Sequence, residues 1–284
     1  MPLAQLISPQ QLAERQKSAG LVILDCRFAL EDPDYGRCSY AEGHIEGAQY
    51  ADLERHLSGP VAKGVTGRHP LPEAKRFVEQ LQAWGINADT DVVLYDDGPG
   101  AYAARAWWLL AWLGKRDGVF ILDGGFKAWH SAGFPLSLDA PVIAPGTFVG
   151  APDNHLLLDA EQLQKRLGQP GLTLIDARAQ ARFRGEVEPI DPIAGHIPGA
   201  QCAAFSENLG SDGRFLPADQ LKQRFAAQLQ GRSPEDLVAY CGSGVTACHN
   251  LFALSLAGYP LGKLYAGSWS EWITDPARAI ATGD

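Results

Sequence analysis

Short apolar runs recur along the chain: Leu21-Val22-Ile23-Leu24, Val92-Val93-Leu94-Tyr95, Val119-Phe120-Ile121-Leu122, Leu172-Thr173-Leu174-Ile175 and Leu237-Val238-Ala239-Tyr240. None has polar residues at alternate positions, as strands do when one face meets water. Such runs predict strands buried on both faces. Downstream of the last, Ala247 to Leu256 is apolar at helical spacing, so the intervening residues form a strand-to-helix turn. Strands of this kind alternating with helices predict an α/β protein whose parallel sheet is flanked by helices.

The pattern occurs twice. "LVILDCR" (21 to 27) and "AEGHIEGAQY" (41 to 50) return as "LTLIDAR" (172 to 178) and "IAGHIPGAQC" (193 to 202). The segment from Asp91 to Trp129 likewise returns from Asp236 to Trp272. Four matched blocks in one order make the chain two copies of one domain. We place them at residues 1–137 and 155–284, joined by a Pro-rich, weakly patterned linker, 138–154. The length, 284 residues, gives each copy enough chain for its own core.

Charge narrows the partners. With 24 basic and 33 acidic residues the net charge is −9, which disfavours nucleic acid and anionic membranes and requires a local positive pocket for any anionic substrate. The longest apolar run, Ala106 to Leu113, is too short to cross a bilayer, and the N-terminus does not read as a signal peptide. A cytoplasmic protein is expected. Five cysteines without a C-x-x-C spacing indicate free thiols rather than disulfides or zinc, and no cluster has metal-ligand spacing.

Parallel sheets bind ligands at the carboxyl ends of their strands, and Cys241 stands at one. Taken alone it reads as a small buried hydrophobe. The residues after it alter that reading. Gly242 and Gly244 let the backbone curl, so that Ser243, Val245, Thr246 and Ala247 can turn N–H groups toward the sulfur at the start of a helix. Such a cradle activates a thiol and would hold a persulfide anion. In the first copy Asp96 replaces the cysteine, so only the second copy can be a thiol catalyst.

Cys-Gly-Ser-Gly-Val-Thr-Ala, the tandem domains, "GHIPGA" (195 to 200) and "GSWSEW" (267 to 272) together resemble the two-domain rhodanese superfamily, and within it the 3-mercaptopyruvate sulfurtransferases. The resemblance implies tandem rhodanese-like domains, an inactive one followed by a catalytic one, with substrate between them. It also implies a ping-pong reaction in which Cys241 takes sulfur from a small-molecule donor and passes it to a thiol, usually thioredoxin, or to cyanide. No cofactor is implied, and a monomer is expected.

Arginine suits a carboxylate-bearing donor. Arg182 matches the substrate-binding arginine of the family, whereas Arg178 repeats Arg27 and reads as structural. Ser243 matches a serine that relays a proton to the departing enolate, and the aspartate and histidine paired with it map to Asp34 and His44. His196 repeats His44, which gives that imidazole a structural reading too. Arg105, on the helix after the first copy's loop, is a further candidate for substrate binding. A second arginine is often found where this chain has Ile190. The competing classes are a thiosulfate:cyanide sulfurtransferase, a cysteine phosphatase and a non-catalytic binding module. The phosphatase would need Arg six residues after the cysteine, and that residue is Ala247. The loop carries no cation of its own, which favours mercaptopyruvate over dianionic thiosulfate.

Overall fold

The computed structural model describes residues 3–284. Its first half contains strands β1 (Gln5–Ile7), β2 (Leu21–Asp25), β3 (His44–Ile45), β4 (Ala48–Tyr50), β5 (Asp91–Tyr95), β6 (Val119–Leu122) and β7 (Leu136–Ser137). Five of these form a wholly parallel sheet in the order β1-β6-β5-β2-β4, while β3 and β7 make a small antiparallel pair. The second half contributes β8 (Thr173–Asp176), β9 (Gln201–Cys202), β10 (Leu237–Tyr240) and β11 (Lys263–Leu264), parallel in the order β11-β10-β8-β9. Helices α1 (Pro9–Arg15), α2 (Tyr35–Glu42), α3 (Ala74–Ala83), α4 (Ala101–Trp112) and α5 (Gly125–Ser131) belong to the first half. Their counterparts are α6 (Ala160–Arg166), α7 (Gln180–Phe183), α8 (Ala218–Leu229), α9 (Thr246–Leu256) and α10 (Ser268–Trp272). Among the described residues, no helix is long and apolar enough to cross a membrane.

Continuous apolar strands are explained by where alternate residues go. In β5, Val92 and Leu94 enter one core while Val93 and Tyr95 enter another on the opposite face. In β10, Leu237 and Ala239 join that same first core, and Val238 and Tyr240 a third. The shared core is thus common to both halves. It is filled by α4 and α9, whose side chains are almost all buried, as expected of helices apolar on every side. Trp107 meets Phe252 edge to face at a centroid distance of 5.0 Å.

The repeated motifs make repeated contacts. Arg27 forks onto Asp25 and donates to the carbonyl of Gly43 at 2.8 Å; Arg178 forks onto Asp176 and donates to that of Gly195 at 2.7 Å. His44 stacks on Tyr40 and His196 on Phe183. Each copy thus ties its strand to its Gly-His-Ile turn through one buried ion pair. Residues 141–152 contain no helix or strand, but they do not hang free: the amides of Gly146 and Phe148 donate to the carbonyls of Gln82 and Ile86.

A buried imidazole joins the halves. Nε2 of His249, on α9, donates to the carbonyl of Pro99 at 2.8 Å, and Nδ1 accepts from Asn208 at 3.1 Å. Both roles need the neutral ring, and burial lowers its pKa to about 4. An unfolded histidine near pH 6.5 binds the proton first, so this group's folding contribution is intact above about pH 6.5 and is lost progressively as the pH falls towards 4. At pH 5 the loss should be about 2 kcal/mol. Urea unfolding at pH 7.5 and pH 5 should show that drop, and His249→Gln should be weaker at pH 7.5 but decline less steeply. An unchanged slope in the variant would remove His249 as the source.

Candidate active site

Cys241 follows the last residue of β10 and is buried, only 2% exposed. Its backbone is pinned from behind by the second copy's Gly-Ser-Trp-Ser segment. The Cys241 amide donates to Ser268 Oγ at 3.1 Å, and the amides of Trp269 and Ser270 donate to the carbonyls of Cys241 and Gly242, each at 2.9 Å. The first copy repeats this with Phe126 and Lys127 donating to Asp96 and Asp97. Gly244 has φ +79°, and a Cβ there would lie 2.3 Å from the Ala266 carbonyl oxygen. Only glycine fits that turn.

The turn aims the Gly244 amide at the sulfur, with N···Sγ 3.1 Å. This differs from the sequence-based expectation in one respect: the amide that bonds the resting thiol is Gly244's. Those of Val245, Thr246 and Ala247 open α9 and meet no protein acceptor, as at any uncapped helix start. What they can hold is visible in the first copy. There the Asp96 carboxylate accepts from the amides of Gly98, Gly100 and Tyr102 at 2.9–3.0 Å and of Ala103 at 3.4 Å.

A cavity of about 360 Å³ opens onto Cys241 between the two halves. Gly242, Ser243, Val245, Thr246 and Arg182 line it, joined by Arg68 and His69 from the first copy. Ser243 Oγ lies 2.8 Å from His69 Nδ1. Burial, with Arg105 and Arg68 nearby, lowers the His69 pKa to about 3, so its ring is neutral at physiological pH. Arg68 and Arg182 flank Gly242: a Cβ there would lie 2.8 Å from Arg68 Nη2 and 3.5 Å from Arg182 Nη2. Arg182 is also held by Glu188 at 2.7 Å and by Asp191 at 3.2 Å.

Three sequence-based candidates are placed elsewhere. His44 bonds the carbonyls of Tyr40 and Asp139, under its stacked tyrosine, and does not line the cavity. Asp34 is exposed, paired with Arg37 at the start of α2. Arg105 is fully buried behind the loop and does not line the cavity: it donates to the carbonyls of Gly244 at 3.1 Å, Leu57 at 3.2 Å and His69 at 3.1 Å. It positions both the loop and His69 and leaves no N–H facing a donor. Ile190 does line the cavity.

Arg68 and His69 escaped the sequence reading, although a signal exists. Gly67-Arg68-His69-Pro70-Leu71-Pro72 corresponds to Gly213-Arg214-Phe215-Leu216-Pro217, one residue shorter. Phe215 covers the Asp96 loop, 3.2 Å from a Cβ built on Gly100, while the segment of His69 covers the Cys241 loop. Each half roofs the other's loop, with His69 over the sulfur where Phe215 stands over the Asp96 loop.

Comparison with known proteins finds the same duplication. The family model for the rhodanese-like domain matches residues 8–132 and again 159–275. The chain belongs to the rhodanese family. Over all 284 residues of this rhodanese-like chain, and the whole of the other, it is 69% identical to a Pseudomonas aeruginosa protein named "Probable 3-mercaptopyruvate sulfurtransferase". A thiosulfate sulfurtransferase of Gallus gallus is 34% identical, over 94% of this chain and 93% of its own. The crystal structure of SseA from Escherichia coli, titled as a 3-mercaptopyruvate sulfotransferase, superposes with a TM-score of 0.80 at 32% identity, covering 94% of this chain and 100% of that one.

The geometry separates the two histidines experimentally. His69→Ala should lower turnover with mercaptopyruvate by about 10²-fold with little change in unfolding, on the usual scale of acid–base or hydrogen-bond assistance. His44→Ala should chiefly lower the urea midpoint. A large loss of turnover in a folded His44 variant, with His69→Ala unaffected, would reverse the assignment.

Proposed function

We propose that the chain is a 3-mercaptopyruvate sulfurtransferase, with residues 155–284 as the catalytic domain and 1–137 as its inactive companion. The carrying observation is the Asp96 cradle. A carboxylate oxygen is two bonds beyond Cβ, as is the outer sulfur of Cys–S–S⁻. The amides of Gly98, Gly100 and Tyr102 that hold the one in the first copy align with those of Ser243, Val245 and Ala247, which in this reading hold the other. Three other thiols suit the reaction less, since burial pushes Cys202 up to about 11 and Cys248 to about 12 and raises Cys26 well above the ordinary range.

In the first half-reaction the Cys241 thiolate attacks the sulfur of the donor. The new S–S bond forms as the S–C bond breaks, leaving Cys241–S–SH and the enolate of pyruvate. Arg68 and Arg182 suit the carboxylate of the donor, one from each half, which supplies the second arginine absent at Ile190. In this reading Ser243, which lines the cavity, takes the ketone oxygen. Neutral His69, bonded to the serine hydroxyl, orients it towards the charge that develops there. The persulfide proton balances the one taken by the enolate carbon, and pyruvate leaves. An acceptor thiolate or cyanide then removes the outer sulfur and regenerates Cys241.

For the acceptor we propose thioredoxin, and for the protein a cytoplasmic monomer. The five cysteines, all unpaired, suit a reducing compartment. Thiosulfate is the second donor to consider, because two guanidiniums at the cavity are an anion site whatever the loop itself lacks.

Incubation with mercaptopyruvate should add about one sulfur, roughly 32 Da, to the intact mass, with one pyruvate released per adduct. Cys241→Ser should abolish adduct and turnover, and an adduct persisting on another cysteine would overturn the assignment. Ser243→Ala should slow mercaptopyruvate turnover by about 10²-fold and thiosulfate far less, because sulfite leaves without forming an enolate. Equal losses would reduce Ser243 to shaping the loop.

A further inference from the structure

Asp191 has no part in the chemistry above, yet it is the one carboxylate that touches both cavity arginines. Its Oδ1 engages Arg68 and its Oδ2 lies 3.2 Å from Arg182 Nη2, so a single side chain clasps a guanidinium from each half. Its side chain is 3% exposed, and its amide is fixed by Glu188 Oε1 at 3.1 Å. Around the mouth the charges form one closed set. Arg68 and Arg182 are met by Asp191, Arg182 and Arg178 by Glu188, and Arg178 by Asp176. Three cations thus face three anions. Of the remaining charged or titratable groups, His69 is neutral, and Arg105 is fully buried behind the loop.

We propose that Asp191 is the residue that sets donor specificity: by cancelling one positive charge between Arg68 and Arg182, it leaves the cavity suited to a singly charged donor rather than a doubly charged one. The inference rests on the donor reading above and extends it to selectivity. Mercaptopyruvate enters with one carboxylate charge and a neutral thiol, thiosulfate with two charges. The potential inside the cavity acts on a donor in proportion to its charge. Removing the Asp191 charge therefore raises the potential equally for both donors but helps thiosulfate twice as much on a logarithmic scale. If the carboxylate merely held the arginines in place, its removal would weaken both donors instead.

The test is Asp191→Asn, which keeps the size of the side chain and one acceptor oxygen. Its kcat/KM should rise by about tenfold for mercaptopyruvate and about a hundredfold for thiosulfate at low salt, and the gap should narrow at 0.5 M salt as screening takes hold. Asp191→Glu, which keeps the charge, should hold the parent's ratio of the two donors. Should the asparagine variant fail to fold, Glu188→Gln removes one charge from the same set and should shift the ratio in the same direction. Losses with both donors, or equal gains, would overturn the proposal. Competitive inhibition by pyruvate and by sulfate reads the same one-to-two ratio without turnover. A parent enzyme that ignores mercaptopyruvate would thus overturn the donor reading, while the inhibitor ratio still decides the role of Asp191.

Discussion

A guanidinium with no acid beside it holds this molecule together where it matters. Arg105 is fully buried, and its hydrogen bonds reach the main-chain carbonyls of Leu57, His69 and Pro70 in its own half and of Gly244 in the other. Burying a cation without a counter-ion is costly, and burial does hold its pKa below the ordinary arginine range. The sulfurs of Cys248 and Cys241 act in the opposite direction, favouring the charge. One side chain therefore fixes the Gly244 turn, the segment bearing Arg68 and His69, and the electrostatics of the cavity. The interface between the halves and the site cannot be separated physically.

Duplication explains why the arrangement is possible. Each half presents a strand-to-helix loop, and each lays a Gly-Arg segment over the loop of the other. Two divergences turn this symmetry into a division of labour. The anion in the first copy's cradle is permanent, the Asp96 carboxylate, and the roof above it is Phe215. Around Cys241 the cradle is open and the roof carries His69. Asp96 itself is buried with four amides on its oxygens; burial raises its pKa and the amides lower it. The Asp96 loop bears on α9 through the Pro99–His249 hydrogen bond.

What could be read from the sequence follows the same division. Features local to one copy, or repeated in both, were legible: the parallel strands, the duplication, the Cys241 turn, and the structural role of the Asp–Arg pairs. Features made by one half reaching into the other were not. His69 and Arg68 sit far from Cys241 in the chain, in a stretch with no predicted element, and only the comparison with Phe215 marks them. His44 is a candidate partner for Ser243 because the family resemblance maps the serine's histidine onto its segment. Repetition as His196 pointed the other way, and the stacking of both rings on neighbouring aromatics is the physical reason. Arg105 reaches the other half at Gly244, but its donors go to carbonyls rather than to the cavity.

The neutral state of His69 constrains how the site can move protons. A ring whose pKa is lowered to about 3 is a poor reservoir, because at neutral pH it has one N–H and little tendency to gain another. It therefore serves best as a fixed dipole on the Ser243 hydroxyl, and the proton for the enolate carbon is better drawn from the new persulfide, which is acidic and already within the cavity. On this view the cations around His69 act twice. Burial first, and then Arg105 and Arg68, keep the imidazole neutral, and in the proposed reaction the same cations favour an anionic donor. A site built to attract anions thereby prevents its own histidine from charging, and the serine becomes the group through which that histidine acts.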